Sequence, residues 1–442
     1  MAAHTFASAP SVLDNRLAEL QAAFIADNPA SQRQFDAHAR HMPGANSRSV
    51  LFYAPFPLTI VRGEGATLWD ADGHAYDDFL AEYTAGVYGH SAPEIRDAVI
   101  EAMESGINLT GHNMLEGRLA SLICERFPQI QQLRFTNSGT EANLMAVTAA
   151  LHYTKRSKIV TFSGAYHGGV LTFGAQASPT TVPYDFIVLP YNDVETAKAV
   201  FSTQGQDIAA VLVEPMLGAG GCIPALPEFL QALRQLTTEA GALLMIDEVM
   251  TSRLAPHGLA AQYGITPDMT TLGKYIGGGM PFGAFGGRAD IMAIFDPRHG
   301  TLAHSGTFNN NVVTMAAGLA GLTKLYPPAA AAALAARGDA LRERLNAYGA
   351  QAGATLRFTG VGSVMNSHFT TTPITRPEDL AGVNVKLREL LFFHLLSQGI
   401  YTAPRGLTVL SLPLSDKAIA RLETAVQSFL AAHSDLAELR AS

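Results

Sequence analysis

A chain of 442 residues with 48% hydrophobic and only 15% charged residues has enough apolar material for a large core, a second domain and a subunit interface. Its formal net charge of −8 argues against a nucleic-acid partner, and two cysteines, Cys124 and Cys222, exclude a disulfide framework. The opening MAAHTFASAP has neither a basic nor an apolar leader region, and no stretch approaches about 18 apolar residues. No secretory signal or membrane span is therefore expected. The cysteines fit a reducing cytoplasmic setting, as inert core thiols.

Leu13, Leu17, Leu20 and Phe24 recur at helical spacing until Asn28-Pro29 ends the pattern. This predicts an N-terminal helix packed on another element or on a partner subunit. Thr67 to Tyr76 reads as a hairpin with Asp72-Gly73 at its turn. Residues 94–105 and 115–127 read as helices. From 132 to 288 short apolar runs alternate with helical patterns. The expected strands are Leu133–Thr136, Ile159–Phe162, Phe186–Leu189, Ala210–Val213, Leu243–Ile246, Thr270–Leu272 and Phe282–Phe285. That rhythm predicts an α/β fold with a mostly parallel sheet. A long helix is expected over 310–326 and an Ala- and Leu-rich one from Ala329 to Gly349. Strands near 356–369 and 408–412 then alternate with helices at 383–398 and 415–433, as in a smaller α+β domain. The expected division is an N-terminal segment over 1–85, a large domain over 86–326 and a small domain over 327–442.

Two neighbouring strands end on charge. Leu243–Ile246 runs into Asp247-Glu248, and Thr270–Gly273 runs into Lys274 ahead of three glycines, 274 − 247 = 27 residues on. Pyridoxal 5'-phosphate chemistry needs such a pair. The amine anchors the cofactor aldehyde, and the carboxylate keeps a proton on the pyridine nitrogen so that the ring accepts electrons. A buried Asp247 needs a partner, which a protonated pyridine would supply. Lys274 is nucleophilic only if burial or a nearby cation depresses its pKa; the plainer alternative is a surface lysine.

Asn137-Ser138-Gly139-Thr140-Glu141-Ala142-Asn143 follows a strand and opens a helix. Ser138, Gly139 and Thr140 read either as a phosphate cradle or as an ordinary N-cap. Tyr166, in the glycine-rich loop after the next strand, is placed to stack on a flat ring or simply to pack, and His167 reads as structural. Glu214 ends another strand. It reads as a residue orienting a cofactor hydroxyl or a side chain, or as a solvated acid.

With these five segments together, the chain resembles the class III aminotransferases of PLP fold type I, from about residue 45 to 430. The resemblance rests on SGTEAN, the YHG loop, EP, DEV and GKYIGGG. It implies a seven-stranded large domain, Lys274 and Asp247 as the catalytic pair, and Tyr166 on one ring face with Met250 or Val249 on the other. It further implies Ser138, Gly139 and Thr140 at the phosphate, Thr307 reaching the partner subunit's phosphate, and a homodimer with shared active sites. No metal is expected. Two relatives compete within the class. Pro43–Ser47 resembles glutamate-1-semialdehyde 2,1-aminomutase. PGANSRSVLFYAPFPL, DEVMTSRLAPHG, SGTFNNNV and PRGLTVLSLPL resemble the β-amino-acid aminotransferases. AQASPTTVP (175–183), Gly306–Asn311 and Pro404-Arg405-Gly406 depart from the aminomutase pattern.

A β-amino acid presents a carboxylate one carbon from its amine-bearing carbon, and a 2-oxo acid presents one directly on it. Arginine binds carboxylate through a planar fork and also stacks on aromatic rings. Arg48 is expected to hold the β-amino acid's carboxylate. Arg405 is expected to hold that of the oxo acid (2-oxoglutarate or pyruvate) and to move aside for an aromatic side chain. The resemblance to the β-amino-acid aminotransferases further implies that Tyr83, Tyr88 and Phe52 line the apolar pocket.

Overall fold

The computed structural model describes residues 11–174 and 178–441. The leader reading of residues 1–10 and the start of AQASPTTVP, residues 175–177, lie outside them. The central sheet has seven strands: β1 (Gln132–Thr136), β2 (Lys158–Phe162), β3 (Asp185–Leu189), β4 (Ile208–Val213), β5 (Leu243–Asp247), β6 (Met269–Gly273) and β7 (Gly283–Gly287). Their spatial order is β1-β7-β6-β5-β4-β2-β3, and only β7 runs against its neighbours. Each lies within a few residues of the run that forecast it.

Continuous apolar runs form these strands because both faces of the sheet are covered. Ala210, Leu212 and Met245 face the helix Gly139–Thr154, whose Ala142, Ala146, Ala149 and Ala150 allow close approach. Val211, Val213, Leu244 and Ile246 face Phe229, Leu230 and Leu233 of the helix Pro227–Ala240. Gly283 opens β7 where a Cβ would stand 2.1 Å from Ser138 O, so this position has no room for a side chain.

The N-terminal helix, Val12–Asp27, begins with a Ser11–Asp14 capping box. It packs within the chain: Phe24 meets Phe56 and Phe393, with ring centroids 5.1 and 5.4 Å away. A second helix, Pro29–His38, follows at once. Asn28-Pro29, read as a stop, is also a start, since proline is well suited to a first helical position. The hairpin pairs Thr67–Asp70 with Ala75–Asp78 and gains Ile60–Glu64 on one side. Ile400–Tyr401 adds to the other side in parallel, which joins the first hundred residues to the C-terminal portion. There a three-stranded antiparallel sheet (Leu356–Val361, Val364–Phe369, Leu407–Val409) packs with helices Pro328–Gln351, Val385–Ser397 and Asp416–Ala432. The helix expected over 310–326 is Val312–Ala320, finished by a π-helical turn, Gly321–Leu325. Among the described residues, no helix is long and apolar enough to cross a membrane.

Candidate active site

In open α/β sheets ligands gather beyond the carboxyl ends of the parallel strands. Here β1 leads to Ser138, β2 to Tyr166, β4 to Glu214, β5 to Asp247 and β6 to Lys274. Asp247 is buried at 4% exposure. Its Oδ2 accepts from Asn143 Nδ2 at 2.9 Å and lies 2.7 Å from His167 Nδ1, and its Oδ1 accepts from the Val249 N–H at 2.9 Å. Asn143 donates also to His167 O (3.0 Å) and accepts from Thr271 Oγ1 (2.7 Å). Three elements therefore aim one carboxylate, and buried His167 supports it.

Lys274 follows β6 in left-handed backbone, φ 54°. Burial of its amine lowers the pKa, the Asp247 and Glu214 carboxylates oppose this, and Arg405 and Arg48 add further lowering. Glu214 accepts from the Tyr166 N–H (3.0 Å) and the Gly218 N–H (2.9 Å), so it is not a solvated acid. Burial pushes its carboxyl up to about 7, with His167 opposing and Asp247 adding to the rise.

Ser138 caps the helix Gly139–Thr154, accepting from the Glu141 N–H at 3.2 Å. Thr140 Oγ1 accepts from the Gly169 N–H at 3.3 Å, so the loop after β2 closes onto the helix start. A Cβ on Gly168 would stand 2.2 Å from that oxygen. Tyr166 is 45% exposed at the rim. A Cβ on Gly139 or Gly273 would meet Val249 Cγ1 at 2.8 or 3.0 Å, whereas Met250 Sδ turns to Gly218. Val249, rather than Met250, thus borders the space between the helix start and Lys274.

These groups fit pyridoxal phosphate. Among the described residues the buried Asp247 carboxylate has no Lys or Arg partner, which suits a cationic ring nitrogen. A helix start with a glycine and two hydroxyls suits a phosphate, and an open aromatic face lies beside them.

Arg48 and Arg405 both come to one ring. Their guanidinium carbons lie 5.5 and 5.2 Å from the Tyr83 centroid. Tyr83 Oη donates to Val50 O at 2.8 Å. Arg48 is paired with Glu82. Arg405 has no acid partner among the described residues and keeps a buried, unpartnered Nε. A cavity of about 560 Å³ opens beside Arg48, Glu82 and Tyr83.

Two expectations are corrected here, and the place of a third residue, Thr307, is given. Tyr88 is core, packed between Tyr275 and Tyr326. Phe52 is 46% exposed and leans on Phe35 rather than on Tyr83. Thr307 is exposed, on a segment tied to its own chain by the bond from Asn137 Nδ2 to Asn309 Oδ1 (2.9 Å).

What sequence reading missed is the support of Tyr83. Ala81, Glu82, Tyr83 and Thr84 form a left-handed turn, with φ of 46, 50, 52 and 81°. Four L-residues in that region are costly, and no propensity forecasts them. Asp78 Oδ1 holds one end, accepting from the Leu80 and Ala81 N–H groups at 2.8 and 2.9 Å. Fully buried Arg253 holds the other, donating from Nη1 to Thr84 O at 2.8 Å. Asp78, Arg253 and the DEV segment that precedes Arg253 were the available signals.

Glu248, beside Asp247, is fully buried and pushed up to about 7, by burial above all. Its folded pKa lies above its unfolded one, so the native state holds the extra proton between about pH 4.5 and 7, and stability falls as pH rises through that window. Glu248→Gln keeps an acceptor for the Ala260 N–H and a partner for Thr251 Oγ1. It is expected to stabilise the apoprotein at pH 8 by up to on the order of 3 kcal/mol and little at pH 4.5. Thermal midpoints at the two pH values test this; an equal shift at both would refute it.

The aminotransferase class-III pattern matches residues 52–415, and the chain belongs to that family. Its members are pyridoxal-phosphate-dependent. The chain is 71% identical over 426 residues to the beta-phenylalanine transaminase of Variovorax paradoxus, covering 96% of this chain and 98% of that protein. The crystal structure of a beta-phenylalanine aminotransferase from that organism superimposes with a TM-score of 0.96 (70% identity, 97% and 99% coverage). A transaminase solved with PLP bound superimposes at 0.85 with 32% identity, over 92% of this chain and 98% of that one. A glutamate-1-semialdehyde aminomutase from Pseudomonas aeruginosa PAO1 reaches 0.87 but only 22% identity, over 95% and 98%, which is likeness of fold alone.

Proposed function

We propose that the protein transfers the amine of an aromatic β-amino acid, β-phenylalanine-like, to a 2-oxo acid such as 2-oxoglutarate or pyruvate. The observation that carries the reading is the pair of arginines that meet Tyr83 and lie close enough to Lys274 to lower its pKa. The 71% identity to a beta-phenylalanine transaminase supports it, and the aminomutase alternative is not favoured.

When bound, the cofactor supplies an electron sink for the charge that develops at the substrate carbon. The Asp247 carboxylate would keep a proton on the ring nitrogen, with Asn143, His167 and the Val249 N–H fixing its direction. Ser138, Gly139 and Thr140 would hold the phosphate and Tyr166 and Val249 would enclose the ring, while Glu214 fixes the Tyr166 loop. Lys274 Nζ would take the proton from the amine-bearing carbon and deliver it to the cofactor's former aldehyde carbon, acting as base and then as acid; its burial-lowered pKa favours the neutral amine this needs. Arg48 receives the β-amino acid's carboxylate. Arg405, which has no acid partner among the described residues, receives the oxo acid's carboxylate. Tyr83 lies between them as one wall of the substrate site.

The working unit in this reading is a homodimer. Ile100, Met103, Ile107, Leu109 and Met114 are exposed along one stretch, and the bond from Asn113 Nδ2 to Asn310 O brings exposed Phe308 near it. Thr307, beside Phe308, would then face the partner's phosphate. The segment 1–85 forms one smaller domain with 327–442 in this reading. The compartment is cytoplasmic.

Racemic β-phenylalanine with 2-oxoglutarate tests the reaction. Enantioselective glutamate formation is expected. Its absence, with 5-aminolevulinate formed from glutamate-1-semialdehyde, would overturn the proposal.

A further inference from the structure

Resting on the proposed role of Arg48, we infer that Glu82 is a specificity-determining residue, a built-in competitor that occupies Arg48 until a substrate carboxylate displaces it. Arg48 Nη1 is paired with Glu82 Oε1, and both side chains are about half exposed (46% and 56%), so the pair opens without breaking a core. Glu82 is also held where it is. It sits inside the left-handed turn Ala81–Thr84, pinned by Asp78 at one end and Arg253 at the other. Asp78 is in turn tied through Oδ2 to His90 Nε2 at 2.9 Å. A strained turn with such anchors persists because its surroundings fix it, and strain of this kind gathers where side chains must be aimed. Here it sets two consecutive side chains on one target: Glu82 on the Arg48 charge and Tyr83 on its flat face.

The contrast with Arg405 strengthens the argument. The second arginine near the same ring has no acid partner among the described residues. One guanidinium therefore has no counter-ion at rest and the other carries its own. Without a ligand, Arg48 and Glu82 cancel, and an amine lacking a carboxylate meets a neutral wall. A carboxylate with the right reach exchanges with Glu82, and the two acids then compete for one guanidinium.

The test uses holoenzyme and unreactive probes, so it does not depend on turnover. 3-Phenylpropanoate has the carbon skeleton and carboxylate of β-phenylalanine but no amine, and 3-phenylpropanamide is its neutral counterpart. Glu82→Gln is expected to tighten 3-phenylpropanoate, measured by calorimetry, about two- to five-fold, the range open to a solvent-screened ion pair. The amide should bind unchanged. In an Arg48→Gln background the same substitution should have no effect on the carboxylate. In wild type against Glu82→Gln, the gain should shrink in high salt. Equal or weaker carboxylate binding in Glu82→Gln, equal tightening of the amide, or a gain that persists without Arg48 would each overturn the inference. Thermal midpoints of the variants separate a folding defect from these outcomes. If Arg48→Gln itself leaves 3-phenylpropanoate binding intact, the proposed role of Arg48 fails, and that result is distinct from a failure of Glu82.

Discussion

Lys274→Ala is expected to remove all measurable transamination and the near-visible absorbance of the lysine-linked cofactor. The amine has two tasks that no neighbour can assume. Among the charged groups around it, Asp247 and Glu214 are acids, while Arg48 and Arg405 do not give up a proton at working pH. Folding should survive, because alanine leaves the backbone at 274 with the same left-handed φ of 54° and removes a desolvated amine. Absorbance spectra, steady-state turnover and a thermal melt check this together. Retention of either the absorbance or turnover would remove Lys274 from the mechanism.

Asp247→Asn should lower kcat by about 10²–10⁴. The amide is nearly isosteric, so the loss comes from charge and hydrogen bonding. A neutral side chain does not hold a proton on the ring nitrogen. It also fits its own surroundings badly. Oδ2 faces Asn143 Nδ2 and His167 Nδ1, and Oδ1 faces the Val249 N–H. Either orientation of the new NH2 sets it against a donor. Weaker cofactor retention on gel filtration should accompany the fall in kcat. A kcat within about tenfold of wild type would show that the carboxylate is not the ring's electrostatic partner.

Both expectations rest on residues that are conspicuous in the amino-acid sequence. Asp247 and Lys274 stand out because they end apolar runs, where charge is expensive unless it has a task. The seven strands were legible for a related reason. A sheet covered on both faces needs unbroken apolar segments, and such segments are visible in one dimension. His167 read as structural, and it supports the carboxylate. The choice between Val249 and Met250 was not legible, because adjacent residues differ only in which way the backbone turns after β5. Close packing against Gly139 and Gly273 decides it for Val249.

The elements that went unread share another property. Helix Pro29–His38 hid behind a proline whose local meaning is ambiguous. The strand pair that joins residues 75–78 to 400–401 depends on contacts across most of the chain. The left-handed turn Ala81–Thr84 runs against local preference and exists only because Asp78 and Arg253 hold it. Tyr88 and Tyr83 illustrate the same point: five residues apart, one is core and the other stands between two arginines.

The cofactor, the family and the positions of the strands along the chain were thus determined by the sequence alone, since each depends on local pattern: apolar run, terminal charge, glycine-rich turn. The substrate-facing side was decided by tertiary structure. Arg48 and Arg405 meet at one tyrosine, and Glu82 occupies one of them, because distant segments fold together around a turn that no local rule would choose.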